Sequence, residues 1–417
     1  MSSTTAPAVN RWAVLWSSVA ILMCTGAIYS FSVFAGPLSG LRGWTMPEVM
    51  MAFTINAAIS PIPMILGGYI VDRGGARISI LAGGLMFAGG FVLAGTATTT
   101  TMLYLSYGVL AGLGQGLAYS GCLNNTMKLF PDKRGMAAGL ITGGMGAASV
   151  IAAPVAQAII KSSGVSTAFV SMGAVYALVV IVASLFLRVA PVGFTPAGWT
   201  APQGAGGAVN LAWSSMLRTS AFYFIFAMMA VGAFSGLMIA SQASGIGQGM
   251  FGLTAASAAV FVSIYAACNM AGRIVWGAVS DRLGYTNALM MIFGVVALSL
   301  LVLVSVSSVP GFAIGIIGLG LCFGGVMGIF PALTMKNFGP RFQGINYGIM
   351  FTAYSVSAFF APRIAASMGA SHHGNFTIAF VIAIALALVG LLITLTFART
   401  QASRPVAAVK SPVSVSS

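Results

Sequence analysis

The sequence predicts an all-α membrane protein with twelve transmembrane helices arranged as two six-helix repeats, and three observations lead to that fold class. The first is composition: 59% of the 417 residues are hydrophobic, 5% are charged and the mean hydropathy is +1.00, whereas soluble domains carry about 25% charged residues. The second is that many apolar runs exceed the roughly 20 residues that cross a bilayer core. The third is an internal repeat at half the chain length.

Twelve apolar spans lie between short polar clusters, and they are numbered 1 to 12 in chain order. Their predicted ranges are 12–38, 47–71, 78–98, 101–129, 136–160, 165–188, 219–243, 253–279, 286–308, 310–337, 343–368 and 374–397. An even number of spans places both ends of the chain on one side of the membrane. The first apolar run has no cleavage site behind a short apolar core, so we interpret it as a retained helix.

The basic residues predict which side that is. If the N-terminus is cytoplasmic, fourteen Lys and Arg residues lie on the cytoplasmic side and three on the other, which is the positive-inside pattern. The cytoplasmic set is Arg11, Arg73, Arg77, Lys128, Lys133, Arg134, Arg188, Arg218, Arg282, Lys336, Arg341, Arg399, Arg404 and Lys410, and the opposite set is Arg42, Lys161 and Arg363. The sequence therefore predicts a multi-pass protein of a cell inner membrane. Because the net charge of +14 is scattered over span ends, no nucleic-acid partner is expected.

A Pro- and Gly-rich stretch at the midpoint is typical of a flexible linker between two domains. The predicted organisation is a cytoplasmic tail at 1–11, an N-terminal six-helix half at 12–188, a central cytoplasmic linker at 189–217, a C-terminal six-helix half at 218–397 and a cytoplasmic tail at 398–417.

The two halves share landmarks at a constant spacing. The stretches "GYIVDRGG" (68–75) and "GAVSDRLG" (277–284) each follow an even-numbered span and share G-x-x-x-D-R-x-G at an offset of 209 residues. Gly135 and Gly139 recur at the same offset as Gly344 and Gly348. Landmarks repeated at half the chain length indicate two parallel six-helix repeats.

These loops, spans and linker together resemble the major facilitator superfamily over essentially the whole chain. Four stretches resemble its oxalate/formate antiporter and monocarboxylate transporter branch: "YSFSVFAGPL", "FPDKRGMAAG", "GRIVWGAVSDRLG" and "INYGIMFTAY". The resemblance implies transport by alternating access, with the substrate near the midplane between the halves. It also implies a gating role for Asp72, Arg73, Asp281 and Arg282, whose loops would latch the cytoplasmic side in the outward-open state.

Arg273 is the only charge between Arg218 and Asp281, and it lies eight residues, or about 12 Å, inside the cytoplasmic end of span 8. A guanidinium near the midplane costs about 2.5–3.5 kcal/mol on insertion scales, so such residues are usually paired or functional. The acids of the chain are Glu48, Asp72, Asp132 and Asp281, and all four fall at span ends or in loops. Because no acid is available to pair with it, Arg273 is predicted to bind the carboxylate of a substrate.

Other residues fall at a similar depth and are secondary candidates for substrate binding. They are Tyr29, Tyr119, Tyr354, Asn124, Asn269 and Phe323. Tyrosine hydroxyls can donate to a carboxylate while the rings cover an apolar group, although helix packing explains each of them taken singly. In oxalate-transporting members of the family, the resemblance implies a second cation in span 11. Counted from "NYG", that position is Tyr354 here, so one carboxylate rather than two is expected.

The predicted function is secondary active transport of a small monocarboxylate of the lactate, pyruvate, formate or acetate class, with proton-coupled symport as the expected mode. The predicted partners are a small carboxylate anion, a proton and the lipid bilayer, and the protein is expected to be a monomer. Carboxylate exchange and export of apolar compounds remain alternatives, as does a non-transporting receptor. We expect no enzyme, cofactor or metal site, because no nucleophile–base pair, phosphate loop or ligand spacing is visible. Arg363, His372 and His373 near the outer surface could take part or merely be solvated.

Overall fold

The computed structural model describes residues 9–191, 193–196, 198–200 and 210–402, and the regular elements in these residues are all helical. Spans 1 to 6 are Arg11–Arg42, Met46–Ile59 with Pro61–Asp72, Ala76–Gly95, Thr100–Leu103 with Tyr104–Ala111 and Gly112–Leu129, Arg134–Ser163, and Val165–Phe186. Spans 7 to 12 are Ser220–Phe251, Ala255–Leu283, Tyr285–Ser305, Val309–Phe338, Gln343–Met350 with Thr352–Ser371, and Thr377–Ala402. A short helix, Trp213–Met216, precedes span 7.

The number of spans agrees with the twelve that the sequence predicts. Of the helices in the described residues, ten are long and apolar enough to cross a membrane, and the bent pair that forms span 2 makes eleven. Span 4 is the twelfth: its three segments follow one another without a gap, and the middle segment, Tyr104–Ala111, is a π-helix. Three predicted segments fall partly outside the described residues: the N-terminal tail at residues 1–8, the linker at residues 192, 197 and 201–209, and the C-terminal tail at residues 403–417.

The largest departure from the predicted boundaries is at the end of span 7. The sequence predicts an end at 243, whereas the helix runs to Phe251. The additional segment contains Ser244, Gln248 and three glycines, so its hydropathy falls although its backbone stays helical. Its tip packs closely against the loop before span 12, where Gly249 meets the backbone of Gly374. Tertiary packing therefore extends a helix that hydropathy alone would end.

Four spans contain a break in the regular α-helix, namely spans 1, 2, 4 and 11. Span 1 has a 3₁₀ turn at Gly26–Ser30, and span 11 is interrupted at Phe351. Span 2 bends by 41° just before Pro61, because proline lacks the N–H that would continue the helix. The breaks leave backbone carbonyls free, and two are bonded within the N-terminal half: Asn56 donates to the Tyr107 carbonyl at 3.1 Å, and the Tyr107 hydroxyl donates to the Ile28 carbonyl at 3.1 Å.

The two halves meet through two equivalent helix crossings. Span 2 packs on the start of span 11, and span 8 packs along span 5. At each crossing a pair of glycines brings two backbones together, Gly68 with Gly344 in one and Gly277 with Gly135 in the other, and a Cβ atom on any of the four would overlap backbone atoms opposite. The offset of 209 residues therefore relates two contacts in space as well as two motifs in sequence.

The outer parts of the two halves are separated. In span 2, Met46–Ile59 packs chiefly on spans 1 and 4, and in span 11, Thr352–Ser371 packs chiefly on spans 7 and 12. The halves therefore meet on the side where span 1 begins and span 12 ends, which we call the closed face, and they diverge toward the opposite side, which we call the open face.

Candidate substrate-binding site

Arg273 lies in the middle part of span 8, where glycines of two neighbouring spans hold its backbone. Gly139 of span 5 and Gly328 of span 10 both approach the Arg273 carbonyl so closely that a Cβ atom would collide with it. The side chain then passes along Gly146 of span 5, where a Cβ atom would sit 3.6 Å from Nε. The glycine-rich face of span 5 thus gives the long side chain room beside a tightly packed helix pair.

The guanidinium of Arg273 is buried, with 9% of the residue exposed. Its Nε donates to Asn269 Oδ1 at 3.1 Å, one turn earlier on the same helix, and its Nη1 donates to the backbone carbonyl of Thr142 in span 5 at 2.9 Å. The second bond joins the two halves of the molecule. A guanidinium has five N–H groups. These two bonds fix the orientation of the planar group and leave further N–H donors for a ligand.

Each of the four acids has a partner at the end of a span. Asp132 accepts from Arg11 Nη1 at 2.6 Å, and Glu48 accepts from the Thr45 backbone N–H at 2.8 Å in a capping box. The remaining two, Asp72 and Asp281, bind the starts of helices in the opposite half. The partners of Arg273 in the described part of the chain are consequently a neutral amide and a carbonyl, and none of these four acids is paired with it.

Phenolic side chains of several spans lie within electrostatic range of Arg273. The guanidinium interacts electrostatically with the hydroxyl groups of Tyr29, Tyr119, Tyr265, Tyr347 and Tyr354. Tyr29 sits in the 3₁₀ turn of span 1 and is 47% exposed, so it borders the space that opens between the halves. The structure therefore brings Tyr29, Tyr119 and Tyr354, the three tyrosines that the sequence singles out, to the surroundings of Arg273.

An aromatic wall extends from this cluster along span 11. The ring centroids of Tyr119 and Phe351 lie 6.2 Å apart, and those of Phe351 and Tyr354 lie 4.9 Å apart in a stacked arrangement. Sequence reasoning missed Phe351, Tyr265 and Tyr347. Tyr265 could have been found, because it precedes Arg273 by eight residues on one helix, and residues about two turns apart share a face.

Two other candidates differ in what they contact. Asn269 bonds Arg273 directly, and its Nδ2 is buried without a hydrogen-bond partner among the described residues. Asn124 instead bonds Ser120 of its own helix through Nδ2, at 2.8 Å to the carbonyl and 3.2 Å to Oγ. It lies five residues after Tyr119, about 140° around the helix, and so on a different face. Asn269 belongs to the Arg273 cluster, whereas Asn124 stabilises span 4.

Phe323 of span 10 supports the site from behind. It is buried, and its ring stacks on Tyr265 with centroids 6.5 Å apart. The Tyr265 hydroxyl in turn donates to the Gly236 carbonyl of span 7 at 2.6 Å. Phe323 therefore packs behind Tyr265, a neighbour of Arg273.

Arg363 lies on another face of span 11. It follows Tyr354 by nine residues, which is about half a turn away in phase. Its guanidinium stacks over Phe359 at 3.9 Å from the ring centroid and donates to the Phe359 carbonyl at 2.7 Å. His372 is exposed and bonds the Met368 carbonyl at 3.0 Å. Both residues contact their own helix toward the open face.

Asp72 and Asp281 form two equivalent contacts between the halves at the closed face. Asp72 accepts from the backbone N–H groups of Gly344 and Ile345 at 3.0 and 2.9 Å. Asp281 accepts from Gly135 and Met136, both at 2.8 Å. The first N–H groups of a helix have no intrahelical partners and favour negative charge, so each aspartate binds the start of a helix in the other half. We call these two contacts the latches.

The arginines of the two D-R pairs do not share the role of the aspartates. Arg73 is exposed and stacks over Tyr69 of its own helix, 4.1 Å from the ring centroid, and Arg282 is exposed beside the Asp281 latch. The cation that does join a latch is Lys128 of span 4, whose Nζ lies 3.3 Å from Asp72 Oδ1. The sequence pattern points to the pair, but only the aspartates bind across the halves.

Known proteins resemble this chain in sequence and in fold. An oxalate:formate antiporter from Oxalobacter formigenes is 29% identical over 376 residues, covering 88% of this chain and 87% of that protein. Monocarboxylate transporter 11 from Homo sapiens is 29% identical over 233 residues, 56% of this chain and 47% of that protein. Apicoplast pyruvate carrier 1 from Toxoplasma gondii is 24% identical over 411 residues, 82% of this chain and 74% of that protein.

Among solved structures, the proton:xylose symporter XylE superposes with a TM-score of 0.73 at 13% identity, covering 93% of this chain and 95% of that chain. FucP in its outward conformation superposes with a TM-score of 0.67 at 17% identity, covering 93% and 98%. Both likenesses concern the fold. The family profile of the Major Facilitator Superfamily matches residues 15–362, and the chain belongs to this superfamily of membrane transporters.

Proposed function

We propose that this protein is a secondary active transporter of a small monocarboxylate of the lactate, pyruvate, formate or acetate class, and that Arg273 binds the carboxylate. One observation carries the proposal: a buried guanidinium is oriented by Asn269 and the Thr142 carbonyl in a chain whose acids all have other partners. An unpaired charge in a membrane is costly. An anionic substrate supplies the missing partner.

The surroundings of Arg273 favour a substrate with one carboxylate and a small apolar part. Phenol hydroxyls can donate to the second carboxylate oxygen, and the rings of Tyr119, Phe351 and Tyr354 offer an apolar wall. A neutral tyrosine stands at 354, where the resemblance implies a cation in oxalate-transporting members. The names of the relatives, which mention oxalate, formate, monocarboxylate and pyruvate, support the carboxylate class.

Alternating access would proceed by rocking of the two halves about this site. Given the distribution of basic residues, we assign the closed face and both termini to the cytoplasm of a cell inner membrane. Arg273 then lies below a space open to the outside. Asp72 and Asp281 are the proposed latches of the outward-open state, and exposed Arg73 and Arg282 add to the positive charge of the cytoplasmic side.

The test is transport by the purified protein in liposomes, measured as exchange of labelled lactate for internal lactate. The Arg273→Gln variant is expected to lose about 100-fold or more in rate, because truncating one partner of a buried charge pair typically costs about 2–5 kcal/mol. Arg363→Gln is the matched control: it removes an arginine that contacts Phe359 on another face, and its exchange should match that of the wild type. Wild-type rates in Arg273→Gln would refute the assignment.

The choice of one carboxylate has a separate test. Tyr354→Lys places a second cation near Arg273, and we expect it to shift preference from lactate toward oxalate, measured as the ratio of their half-inhibitory concentrations for lactate exchange. Tyr354→Phe is the control that keeps the ring without the charge. If the wild type already binds oxalate more tightly than lactate, the exchanger alternative of the oxalate/formate type replaces the monocarboxylate proposal.

Export of apolar compounds is the second candidate, and one cavity favours it. An apolar groove of about 420 Å³ lies between spans 1, 5 and 6. Its lining includes Met23, Ile151, Val155 and Met172, and Ile151 and Val155 are exposed, so the groove faces the bilayer. Such export needs no central cation, and it would therefore survive Arg273→Gln unchanged.

A further inference from the structure

The electrical charge of the transport cycle follows from where the acids of the chain lie. Asp72 and Asp281 are held in the latches, Asp132 is paired with Arg11, and Glu48 caps the start of its own helix. These are all the acids that the sequence contains. Among the described residues, which include every Asp and Glu of the sequence, no carboxylate that could take up a proton therefore lies beside Arg273.

The groups that face Arg273 are neutral near pH 7. They are the Asn269 amide, the Thr142 carbonyl and phenols of spans 1, 4, 8 and 11, namely Tyr29, Tyr119, Tyr265, Tyr347 and Tyr354. At the depth of Arg273, span 5 contributes glycines, which carry no charge. Both histidines of the chain, at 372 and 373, follow span 11 toward the open face. Because a guanidinium carries one positive charge and these neighbours carry none, Arg273 keeps one uncompensated positive charge.

We infer that the carrier is neutral at its centre when one monocarboxylate is bound and carries one positive charge when empty, so that exchange is electroneutral and net transport is electrogenic without a proton. The inference rests on the proposed function, because it takes the carboxylate as the counterion of Arg273. It favours carboxylate exchange, one of the alternatives that the sequence leaves open, over proton-coupled symport.

The membrane potential determines the direction of net transport in this cycle. Net transport moves one negative charge with each substrate, and one elementary charge in a potential of 100 mV corresponds to about 2.3 kcal/mol, or about a 50-fold concentration ratio. A membrane that is negative inside therefore drives the anion outward. In such a membrane the carrier supports net export, and it supports uptake only in exchange for an internal carboxylate.

Proton symport predicts a different cycle. There the substrate crosses with a proton while Arg273 keeps its charge in both the loaded and the empty carrier. Net uptake would then follow a pH gradient and would be insensitive to the membrane potential. The two cycles can be separated because a potential and a pH gradient can be imposed independently on liposomes.

The experiment uses wild-type protein in liposomes, labelled lactate, and potassium gradients with valinomycin to set the potential. Lactate exchange at pH 7 should vary less than twofold between −100, 0 and +100 mV inside. Net uptake should reach about 50-fold accumulation at +100 mV inside, fall below equality at −100 mV, and show no accumulation with a pH gradient at zero potential; the 50-fold figure follows from one charge per lactate.

Several results would overturn the inference. If exchange proceeds while net uptake follows the pH gradient and ignores the potential, the proton cycle is correct. Absence of net uptake at every potential would also contradict a charged empty carrier that crosses the membrane. If exchange itself is absent, the proposed function fails instead, so the two failures are distinct.

A substitution tests the role of the neutral amide. Asn269→Asp places a carboxylate where Oδ1 now accepts from Arg273 Nε at 3.1 Å, so the acid can neutralise Arg273 in the empty carrier and can take up a proton when lactate binds. Net uptake should then respond to a pH gradient and lose most of its response to the potential. Asn269→Ala adds no charge and should remain driven by the potential, although more slowly. An active Asn269→Asp protein that remains driven by the potential alone would contradict the inference.

Discussion

Spans 2 and 8 are equivalent helices of the two halves, and they differ mainly at the midplane. Both end in G-x-x-x-D-R-x-G, both bring an aspartate to the start of a helix in the other half, and both cross that helix at a glycine. Deeper in the membrane, Gly348 crosses span 2 at Met64 and Ile65, just as Gly139 crosses span 8 at Arg273. The repeat thus specifies the scaffold and the contacts between the halves, and the residue that we propose to bind substrate stands where one copy departs from the other.

The latches themselves also differ. Asp72 has the Lys128 ammonium at 3.3 Å in addition to two backbone donors. Asp281 has the Tyr285 hydroxyl at 3.4 Å instead. The shared part of both latches is the pair of backbone N–H groups at a helix start. The side-chain partner differs between the two latches.

Arg273→Met would make span 8 resemble span 2 at the midplane. Of the substitutions considered, we expect this one to have the largest effect on transport. Carboxylate transport should be abolished. The thermal midpoint of the purified protein should stay the same or rise, because removing the buried guanidinium relieves about 2.5–3.5 kcal/mol of insertion cost. Lactate should stabilise the wild type but not the variant in a thermal-shift assay. A variant that loses activity only because it unfolds at lower temperature would contradict this prediction.

Gly68→Ala and Gly277→Ala would test whether the two crossings are equivalent. In both, the new Cβ atom would overlap the opposite backbone, so the closed face should open and lactate exchange should fall by about 10-fold or more, since overpacking costs about 1–3 kcal/mol. Gly89→Ala and Gly294→Ala are matched controls, because no atom lies within 4 Å of their Cβ positions. A loss in only one of the two crossings would show that the halves do not share the gate equally.

Asp72→Asn and Asp281→Asn would remove the charge from each latch. An asparagine carries one acceptor oxygen for two backbone donors, and an unsatisfied buried group costs about 1–3 kcal/mol. We expect exchange to fall several-fold in both variants. Amide hydrogen exchange at Gly344 and Ile345 should accelerate in the first variant, and that at Gly135 and Met136 in the second. Unchanged protection of these amides would rule out the latch contacts.

Lys128→Met is expected to give the smallest effect. The Lys128 side chain is 20% exposed, and ion pairs near a surface contribute about 0–1 kcal/mol. Exchange should therefore fall less than about threefold, well below the loss in Asp72→Asn. An equal loss in the two variants would mean that the ammonium, rather than the helix start, is the main partner of Asp72.

Several features of the site were accessible from the sequence because they depend on composition and spacing. Apolar run length predicts the spans, the offset of 209 residues predicts the repeat, and Arg273 stands out because every acid lies at a span end or in a loop. The depth of Tyr119 and Tyr354 on their helices was accessible in the same way, because helical rise is constant. These properties depend on a single helix or on the order of residues along the chain, and not on contacts between helices.

The tertiary structure decided the contacts between helices that are far apart in sequence. Asp72 binds the N–H groups of Gly344 and Ile345, and Arg273 binds a backbone carbonyl of span 5. Both contacts are made to backbone groups, which every residue carries, so the sequence pattern does not reveal them. The breaks at Phe351 and in the 3₁₀ turn of span 1 likewise fix where Phe351 and Tyr29 lie. Local sequence determines helices and charges, whereas helix phase and crossing decide which groups meet, because they depend on packing of the whole bundle.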